Sequence, residues 1–213
     1  DAQRLFRAHL PPGRCPGDPS SAGNSVRAEC NRLGNSHPYS IGRCLMPVQH
    51  CVLGTSLTGP WPATEEIYLA MGCFWGAEEI YWRLPGVVST SVGYMGGYSG
   101  HPSYEEVCTG MTGHTETASV TYDPAIISDY DILKVFWENH DPTQGYRQGN
   151  DQGTQYRSAI FYTTPEQKAM AELTRDAYAS VIAQRGYPAI STSIQDASDH
   201  MYYFAEEYHQ QYL

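Results

Sequence analysis

Basic residues are scarce in this chain. Its 213 residues include 13 Lys and Arg against 23 Asp and Glu, which gives a formal net charge of −10 at pH 7. No run of Lys or Arg offsets this excess of acidic residues. The composition therefore argues against a nucleic-acid-binding surface.

Long apolar runs are also missing. No stretch approaches the roughly 18 consecutive apolar residues of a membrane span, and residues 1–30 lack the apolar core of a secretory signal. We therefore expect no membrane association and a cytoplasmic location. The chain begins at Asp1 rather than Met, which is compatible with a processed or trimmed N-terminus.

CxxC pairs, the usual sign of zinc ligation, are absent. Six cysteines occur at Cys15, Cys30, Cys44, Cys51, Cys73 and Cys108. They could form a disulfide framework, but the first four are spaced too widely and irregularly for a zinc finger. We expect no bound metal.

Composition divides the chain near residue 63. Residues 1–63 hold eight of the 14 prolines and four of the six cysteines, without a helical or alternating period. They are predicted to form an irregular Pro-, Gly- and Cys-rich arm. Residues 64–213 are predicted to form one domain of ordinary size.

Regular hydrophobic patterns begin at residue 67. The apolar run 67–71 predicts a strand buried on both faces, and residues 77–84 predict a helix that stops before Pro85. Further strands are predicted over 87–94, 116–122, 155–162 and 190–194, and further helices after the capping residues Ser128 and Thr164 and from Ala205 onward. This order suggests a mixed sheet with helices packed on it.

Cys73 lies between the first predicted strand and helix, flanked by Gly72 and Gly76. A helix N-terminus presents unpaired N–H groups and the positive end of a dipole, which favour a thiolate over a thiol. Phe74 and Trp75 follow at once and would supply an apolar wall beside the sulfur. The alternative is a buried, inert cysteine among core aromatic residues.

Two long connections, 95–114 and 140–154, carry acids and tyrosines at the ends of predicted elements. Loops of this length in a compact domain are usually functional. The local pattern leaves open a cysteine hydrolase with His114 or His140 as its base. A thiol peroxidase and a non-catalytic redox sensor that switches on oxidation of Cys73 also remain open.

Several motifs occur in one order: Gly-Cys-Phe-Trp-Gly at 72–76, Gly-His-Thr-Glu at 113–116, Gly-Asn-Asp at 149–151, Gly-Thr-Gln-Tyr-Arg-Ser at 153–158 and His-Gln-Gln-Tyr-Leu at 209–213. Together they resemble the signature of the A-type peptide methionine sulfoxide reductases, over about residues 46–213. The resemblance implies an α+β fold, a two-layer sandwich with a mixed central sheet and the catalytic cysteine at the N-terminus of the first helix.

The resemblance also implies an activity and a set of site residues. The family reduces the S epimer of methionine sulfoxide, free or in proteins, which repairs oxidative damage. Its pattern places the nucleophile at Cys73, the acid at Glu116 and an orienting acid at Asp151. Because a carboxylic acid donates a proton near neutral pH only if burial raises its pKa, Glu116 should be desolvated.

The remaining pocket positions follow from the same pattern. Tyr104 and Tyr156 match the tyrosines that hydrogen-bond the sulfoxide oxygen, while Phe74 and Trp75 match the wall that receives the substrate's methyl group. Attack would leave a sulfenic acid on Cys73. We expect no bound cofactor, an external reductant that is thioredoxin or another thiol, and a monomer.

Recycling of the sulfenic acid is where this chain departs from the family. Most relatives have resolving cysteines beyond the His-Gln-Gln-Tyr-Leu segment, whereas no cysteine follows Cys108 here. A longer C-terminus in the complete protein, an N-terminal cysteine or an external thiol would each explain this. The candidate internal resolvers are Cys51 and Cys44, then Cys30 and Cys15, although all four could be incidental. Cys108 is expected to be structural.

Overall fold

A six-stranded sheet lies at the centre of the protein. The computed structural model describes residues 49–213. Its strands are β1 (Glu65–Ala70), β2 (Val87–Met95), β3 (Thr115–Tyr122), β4 (Arg147–Gln148), β5 (Asp151–Gln152), β6 (Ala159–Tyr162), β7 (Ser193–Asp196) and β8 (Tyr203–Phe204). The sheet order is β7-β6-β1-β3-β2-β8, while β4 and β5 form a separate hairpin. Only the β6–β7 pair is parallel, which confirms the predicted mixed sheet.

Helices cover one face of the sheet. They are α1 (Phe74–Trp82), α2 (Tyr104–Cys108), α3 (Asp129–Glu138) and α4 (Pro165–Ala183). Because side chains alternate along a strand, Ile67 and Leu69 of β1 join the core beneath α1, α3 and α4. Tyr68 and Ala70 point the other way, into a smaller cluster that includes Tyr202. The predicted α+β fold is confirmed.

Local capping signals were the most accurate predictions. Ser128 begins α3 with a complete capping box formed with Asp131. Thr164 begins α4 and accepts the N–H of Gln167, with Pro165 in the first turn. The Gln167 side chain accepts the N–H of Thr163 at 2.7 Å rather than that of the capping residue, so this second capping box is displaced by one residue.

Six element predictions need correction. The strand predicted over 155–162 begins only at Ala159, because residues 154–156 form a 3₁₀ turn. The first helix begins at Phe74 instead of residue 77, so the aromatic pair belongs to its first turn. The connection 95–114 contains α2, and the connection 140–154 contains the β4–β5 hairpin. The strand predicted over 190–194 is Ser193–Asp196, where it pairs with β6. After β8 ends at Phe204, a 3₁₀ turn, Glu207–His209, replaces the helix predicted from Ala205.

Both ends of the described chain meet at α1 through a buried polar network. Glu78 of α1 accepts hydrogen bonds from the backbone N–H of Gln211 at 2.8 Å and from its side-chain amide at 2.6 Å. Thr90 of β2 donates its hydroxyl to Glu78 at 3.0 Å. The Thr90 oxygen lies 2.7 Å from Nε2 of His50. Residues near 50 and 211 are thereby held against the helix that follows Cys73.

The helices of residues 49–213 include none that is both long and apolar enough to cross a membrane.

Candidate active site

Cys73 is the residue that caps the start of α1. Gly72 precedes it with φ +95°, a conformation that L side chains rarely adopt. A β-carbon at Gly72 would also lie 2.6 Å from Cγ of Gln148 on the β4–β5 hairpin. The glycine therefore lets β1 turn into α1 while the hairpin packs directly against the turn.

Glu116 lies next to this turn. It is the second residue of β3, its side chain is 2% exposed, and its Oε2 accepts the backbone N–H of Phe74 at 3.0 Å. Burial raises the pKa of the Glu116 carboxyl to about 8, although the Phe74 N–H lowers it in part. The expected desolvation is confirmed, and this acid retains a proton near neutral pH.

The thiol and the carboxyl influence each other's ionisation. Burial, and then the negative charge of Glu116, raise the pKa of Cys73 to about 12, while the backbone N–H groups of Trp75 and Gly76 lower it. The prediction that the helix N-terminus would favour a thiolate is wrong, because burial and the Glu116 charge raise the pKa of Cys73 by more than those N–H groups lower it. The Cys73 thiol and the Glu116 carboxyl together hold two protons or one. Removing the last proton is unfavourable, because it would leave two negative charges close together.

The loop after β2 brings Tyr104 to the same site. Tyr104 is the first residue of α2, and with Trp75 it packs on a buried cluster that contains Phe74 and Tyr94. The Phe74 and Tyr94 ring centroids are 5.9 Å apart. The predicted wall residues and one predicted tyrosine therefore share one cluster beside Cys73.

The second loop supplies Tyr156 and Asp151. Tyr156 ends a 3₁₀ turn and is buried. Thr115, the neighbour of Glu116, donates its hydroxyl to the carbonyls of Gln155 at 2.9 Å and Arg157 at 3.1 Å, which flank Tyr156. Asp151 begins β5 and is close enough for its charge to raise the pKa of both Cys73 and Glu116. Burial raises the pKa of Asp151 itself.

His114 and His140, the candidate bases of a cysteine hydrolase, use their ring nitrogens in other hydrogen bonds. His114 accepts the N–H of Gly97 on Nδ1 at 3.2 Å, and its Nε2 lies 2.8 Å from the carbonyl oxygen of Ser99. His140 is buried between the Phe136 carbonyl and the Ser158 hydroxyl, each 2.7 Å from a ring nitrogen. Neither ring has a nitrogen free to accept a thiol proton, so the arrangement does not support a cysteine hydrolase.

Of the five other cysteines, the structure describes Cys51 and Cys108. Cys15, Cys30 and Cys44 lie outside the described residues. Cys51 is exposed and forms no disulfide within residues 49–213, and its backbone N–H donates to the side chain of Gln211 at 3.4 Å. Cys108 is exposed and lies at the end of α2. Within residues 49–213, no group of three or more His, Cys, Asp or Glu could hold a metal ion.

Sequence reasoning missed two residues that contact the aromatic cluster beside Cys73. His209 packs against Phe74, Trp75 and Tyr104, with ring centroids 5.1, 5.7 and 4.6 Å away. Glu206 binds the backbone N–H of Tyr104 at 2.9 Å. The only signal for His209 was its place in the terminal motif, and nothing in the local pattern distinguished Glu206 from other acids.

Known proteins similar to this chain belong to one family. A family model described as peptide methionine sulfoxide reductase matches residues 65–213. The peptide methionine sulfoxide reductase MsrA of Salinispora arenicola is 61% identical over 171 residues, covering 79% of this chain and 77% of the relative.

Solved structures are similar as well. Methionine sulfoxide reductase A of Corynebacterium diphtheriae has a TM-score of 0.75 and 47% identity, covering 84% of this chain and 85% of that one. Reduced Mxr1 from Saccharomyces cerevisiae has a TM-score of 0.66 and 33% identity, covering 73% and 87%. Mxr1 has also been solved in complex with Trx2; that structure, at 24% identity and a TM-score of 0.51, shows the fold alone.

The coupling of the two acidic groups predicts an effect of Glu116→Gln on Cys73. Because the Glu116 charge raises the pKa of the thiol, the neutral amide should lower it. The pH profile for alkylation of Cys73 by iodoacetamide, followed by mass spectrometry of its peptide, should shift to lower pH. Glu172→Gln, which changes an exposed glutamate of α4, should leave the profile in place. An unchanged profile in Glu116→Gln would contradict the coupling.

The raised pKa of Glu116 also predicts how stability depends on pH. A carboxyl that titrates near 8 when folded and near 4.3 when unfolded binds more protons in the folded state between those values. Its contribution to the free energy of unfolding therefore falls as pH rises through this window, by up to about 5 kcal/mol. In urea unfolding, Glu116→Gln should lose less stability than the unmodified protein between pH 5 and pH 9. Equal losses would mean that the carboxyl is not desolvated.

Proposed function

Because this chain belongs to the peptide methionine sulfoxide reductase family, we propose that it reduces methionine sulfoxide with Cys73 as the nucleophile and Glu116 as the acid. Reduction of methionine sulfoxide with thiol-dependent recycling is the activity of the family. The observation that carries the residue assignment is the buried Glu116 carboxyl hydrogen-bonded to the N–H that directly follows Cys73.

The two groups can complete the reductive step between them. A sulfoxide sulfur is electrophilic, but its oxygen leaves only when it is protonated. The Cys73 sulfur attacks the sulfoxide sulfur while Glu116 gives its proton to the sulfoxide oxygen. The proton of the Cys73 thiol then restores Glu116. The protonated oxygen then moves to the Cys73 sulfur: a bond from the Cys73 sulfur to oxygen forms, while the substrate's sulfur–oxygen bond and the sulfur–sulfur bond made in the attack both break. Thiol and sulfoxide thus become sulfenic acid and methionine.

The surrounding side chains would orient the substrate. We assign Tyr104 and Tyr156 as hydrogen-bond donors to the sulfoxide oxygen, where negative charge develops. Phe74 and Trp75 would receive the methyl group, and an oxygen and a methyl site on different sides of the sulfur would select the S epimer. Asp151 would keep the thiol and acid protonated until substrate arrives, since its charge raises the pKa of both.

Recycling requires two thiols. The first attacks the sulfenic acid, releasing water and forming a disulfide, and the second reduces that disulfide. We propose thioredoxin or another thiol as the external reductant, and methionine sulfoxide in peptides and proteins as the substrate. The monomeric state and the cytoplasmic location stay predictions from the sequence.

Cys51 is the first candidate for an internal resolving thiol among the described residues. Its backbone is hydrogen-bonded to Gln211, whose neighbour Tyr212 stacks on Trp75 with ring centroids 3.9 Å apart. The segment that carries Cys51 therefore contacts the chain that covers one wall of the pocket.

Replacing the nucleophile and the acid tests the central proposal. With racemic methyl p-tolyl sulfoxide and dithiothreitol, only the S enantiomer should disappear. Cys73→Ser should abolish the reaction because the attacking sulfur is gone. Glu116→Gln should slow single-turnover release of methionine from methionine sulfoxide by about a hundredfold or more, with a much smaller change in substrate binding. The measurements are chiral chromatography and quenched-flow kinetics.

Cys108→Ser serves as the matched control and should retain both the rate and the epimer preference. Full activity in Cys73→Ser would overturn the assignment of the nucleophile. An unaffected rate in Glu116→Gln would show that another group supplies the proton.

The resolving thiol can be identified by peptide mapping. After one equivalent of methionine sulfoxide and no added thiol, Cys73 should be found in a disulfide with Cys51, while Cys51→Ser should accumulate a sulfenic acid that dimedone traps. Cys108→Ser should still form the disulfide. A sulfenic acid that persists in the unmodified protein would contradict an internal resolver and leave an external thiol as the direct reductant.

A further inference from the structure

The carboxylate of Glu206 links α2 to β2 beside the proposed substrate site. Glu206 precedes the 3₁₀ turn Glu207–His209 and uses both of its oxygens. Oε1 accepts the backbone N–H of Tyr104 at 2.9 Å, and Oε2 accepts the hydroxyl of Tyr94 at 2.8 Å. Glu206 thus binds the first residue of α2, which carries the tyrosine assigned to the sulfoxide oxygen.

The same carboxylate faces the methyl-binding wall through His209. The indole N–H of Trp75 donates to Nδ1 of His209 at 3.1 Å. Since an indole nitrogen can only donate, Nδ1 is the acceptor, and the hydrogen of the neutral ring is on Nε2. This buried Nε2 has no hydrogen-bond partner among the described residues and lies 3.7 Å from Oε2 of Glu206. Burial lowers the pKa of His209 to about 4, which agrees with a neutral ring.

The contacts form one chain from the wall to the tyrosine. Trp75 binds His209, His209 faces Glu206, and Glu206 binds the backbone of Tyr104. The His209 ring also packs against the Tyr104 ring, with centroids 4.6 Å apart. Displacing the carboxylate would therefore change the position of the oxygen donor and of the methyl wall together.

We propose that Glu206 is a positioning residue for the reductive step, which holds Tyr104 directly and Trp75 through His209 in the geometry that the sulfoxide requires. This inference rests on the proposed function of the pocket. It assigns Glu206 no contact with the substrate and no transfer of a proton.

Glu206→Gln is the sharpest probe because it preserves the shape of the side chain. The amide has one acceptor oxygen and one donor nitrogen, whereas the Tyr104 N–H, the Tyr94 hydroxyl and His209 Nε2 present hydrogens to two carboxylate oxygens. One of those hydrogens must then face an N–H group. Glu206→Asp keeps both oxygens on a shorter side chain and should recover part of the lost rate.

The experiment measures single-turnover methionine release and substrate binding separately. Because small displacements in a reacting geometry are costly, Glu206→Gln should slow release by about tenfold or more and weaken binding by less than about threefold. In a Tyr104→Phe background, where the hydroxyl to be positioned is absent and only the smaller effect through Trp75 remains, the same change should slow release by less than about threefold. Glu207→Gln, at the next position, should retain the unmodified rate.

Three outcomes would overturn the inference: an unmodified rate in both Glu206→Gln and Glu206→Ala, a loss confined to substrate binding, or losses that multiply in the double variant. Far-ultraviolet circular dichroism and thermal melts of each variant establish that it is folded. Failure of the proposed function is distinguishable, because the unmodified protein would then release no methionine.

Discussion

The site depends on a buried carboxyl and a half-buried thiol that influence each other's ionisation where β3 meets the start of α1. Neither group has a cation to neutralise it among its described contacts, and burial raises the pKa of both. The N–H groups at the start of α1 offset part of this rise in pKa. The N–H of Phe74 donates to Glu116, and those of Trp75 and Gly76 donate to the Cys73 sulfur. Burial therefore keeps the carboxyl proposed to protonate the sulfoxide in its acid form near neutral pH, whereas an exposed glutamate would lose that proton to water.

This arrangement requires a fold that closes over α1 from several sides. The strand β3 delivers Glu116, the β4–β5 hairpin rests on Gly72, and the C-terminal segment packs on Trp75. That segment is fixed by Glu78, whose bonds to Gln211 span 133 residues of sequence. Burial of the reacting pair is therefore a property of the whole domain, and it would be lost if any of these contacts opened.

The parts that could be predicted from sequence are those decided locally. Caps at Ser128 and Thr164 depend on residues three positions apart, and the strand-to-helix turn at Cys73 depends on adjacent glycines and an apolar run. The helix α2 has an equally local signal, a capping box from Ser103 to Glu106, which its Gly-rich surroundings obscured. The two-residue strands of the hairpin are too short to show a hydrophobic period. The bounds of β7 are set by its pairing with β6 and not by the apolar residues of its own sequence.

Electrostatics could not be predicted in the same way, because the donors to each carboxylate come from distant residues. Glu78 and Glu116 are both buried, yet Glu78 accepts three hydrogen bonds from Thr90 and Gln211, whereas Glu116 accepts one within residues 49–213, from Phe74. Burial raises the pKa of Glu78 as well, and because each donor stabilises the ionised form, the three bonds to Glu78 offset part of that rise. Glu116, with one donor among residues 49–213, keeps its proton near neutral pH. The donors around each acid therefore differ between the acid proposed to protonate the substrate and the acid that anchors the C-terminal segment.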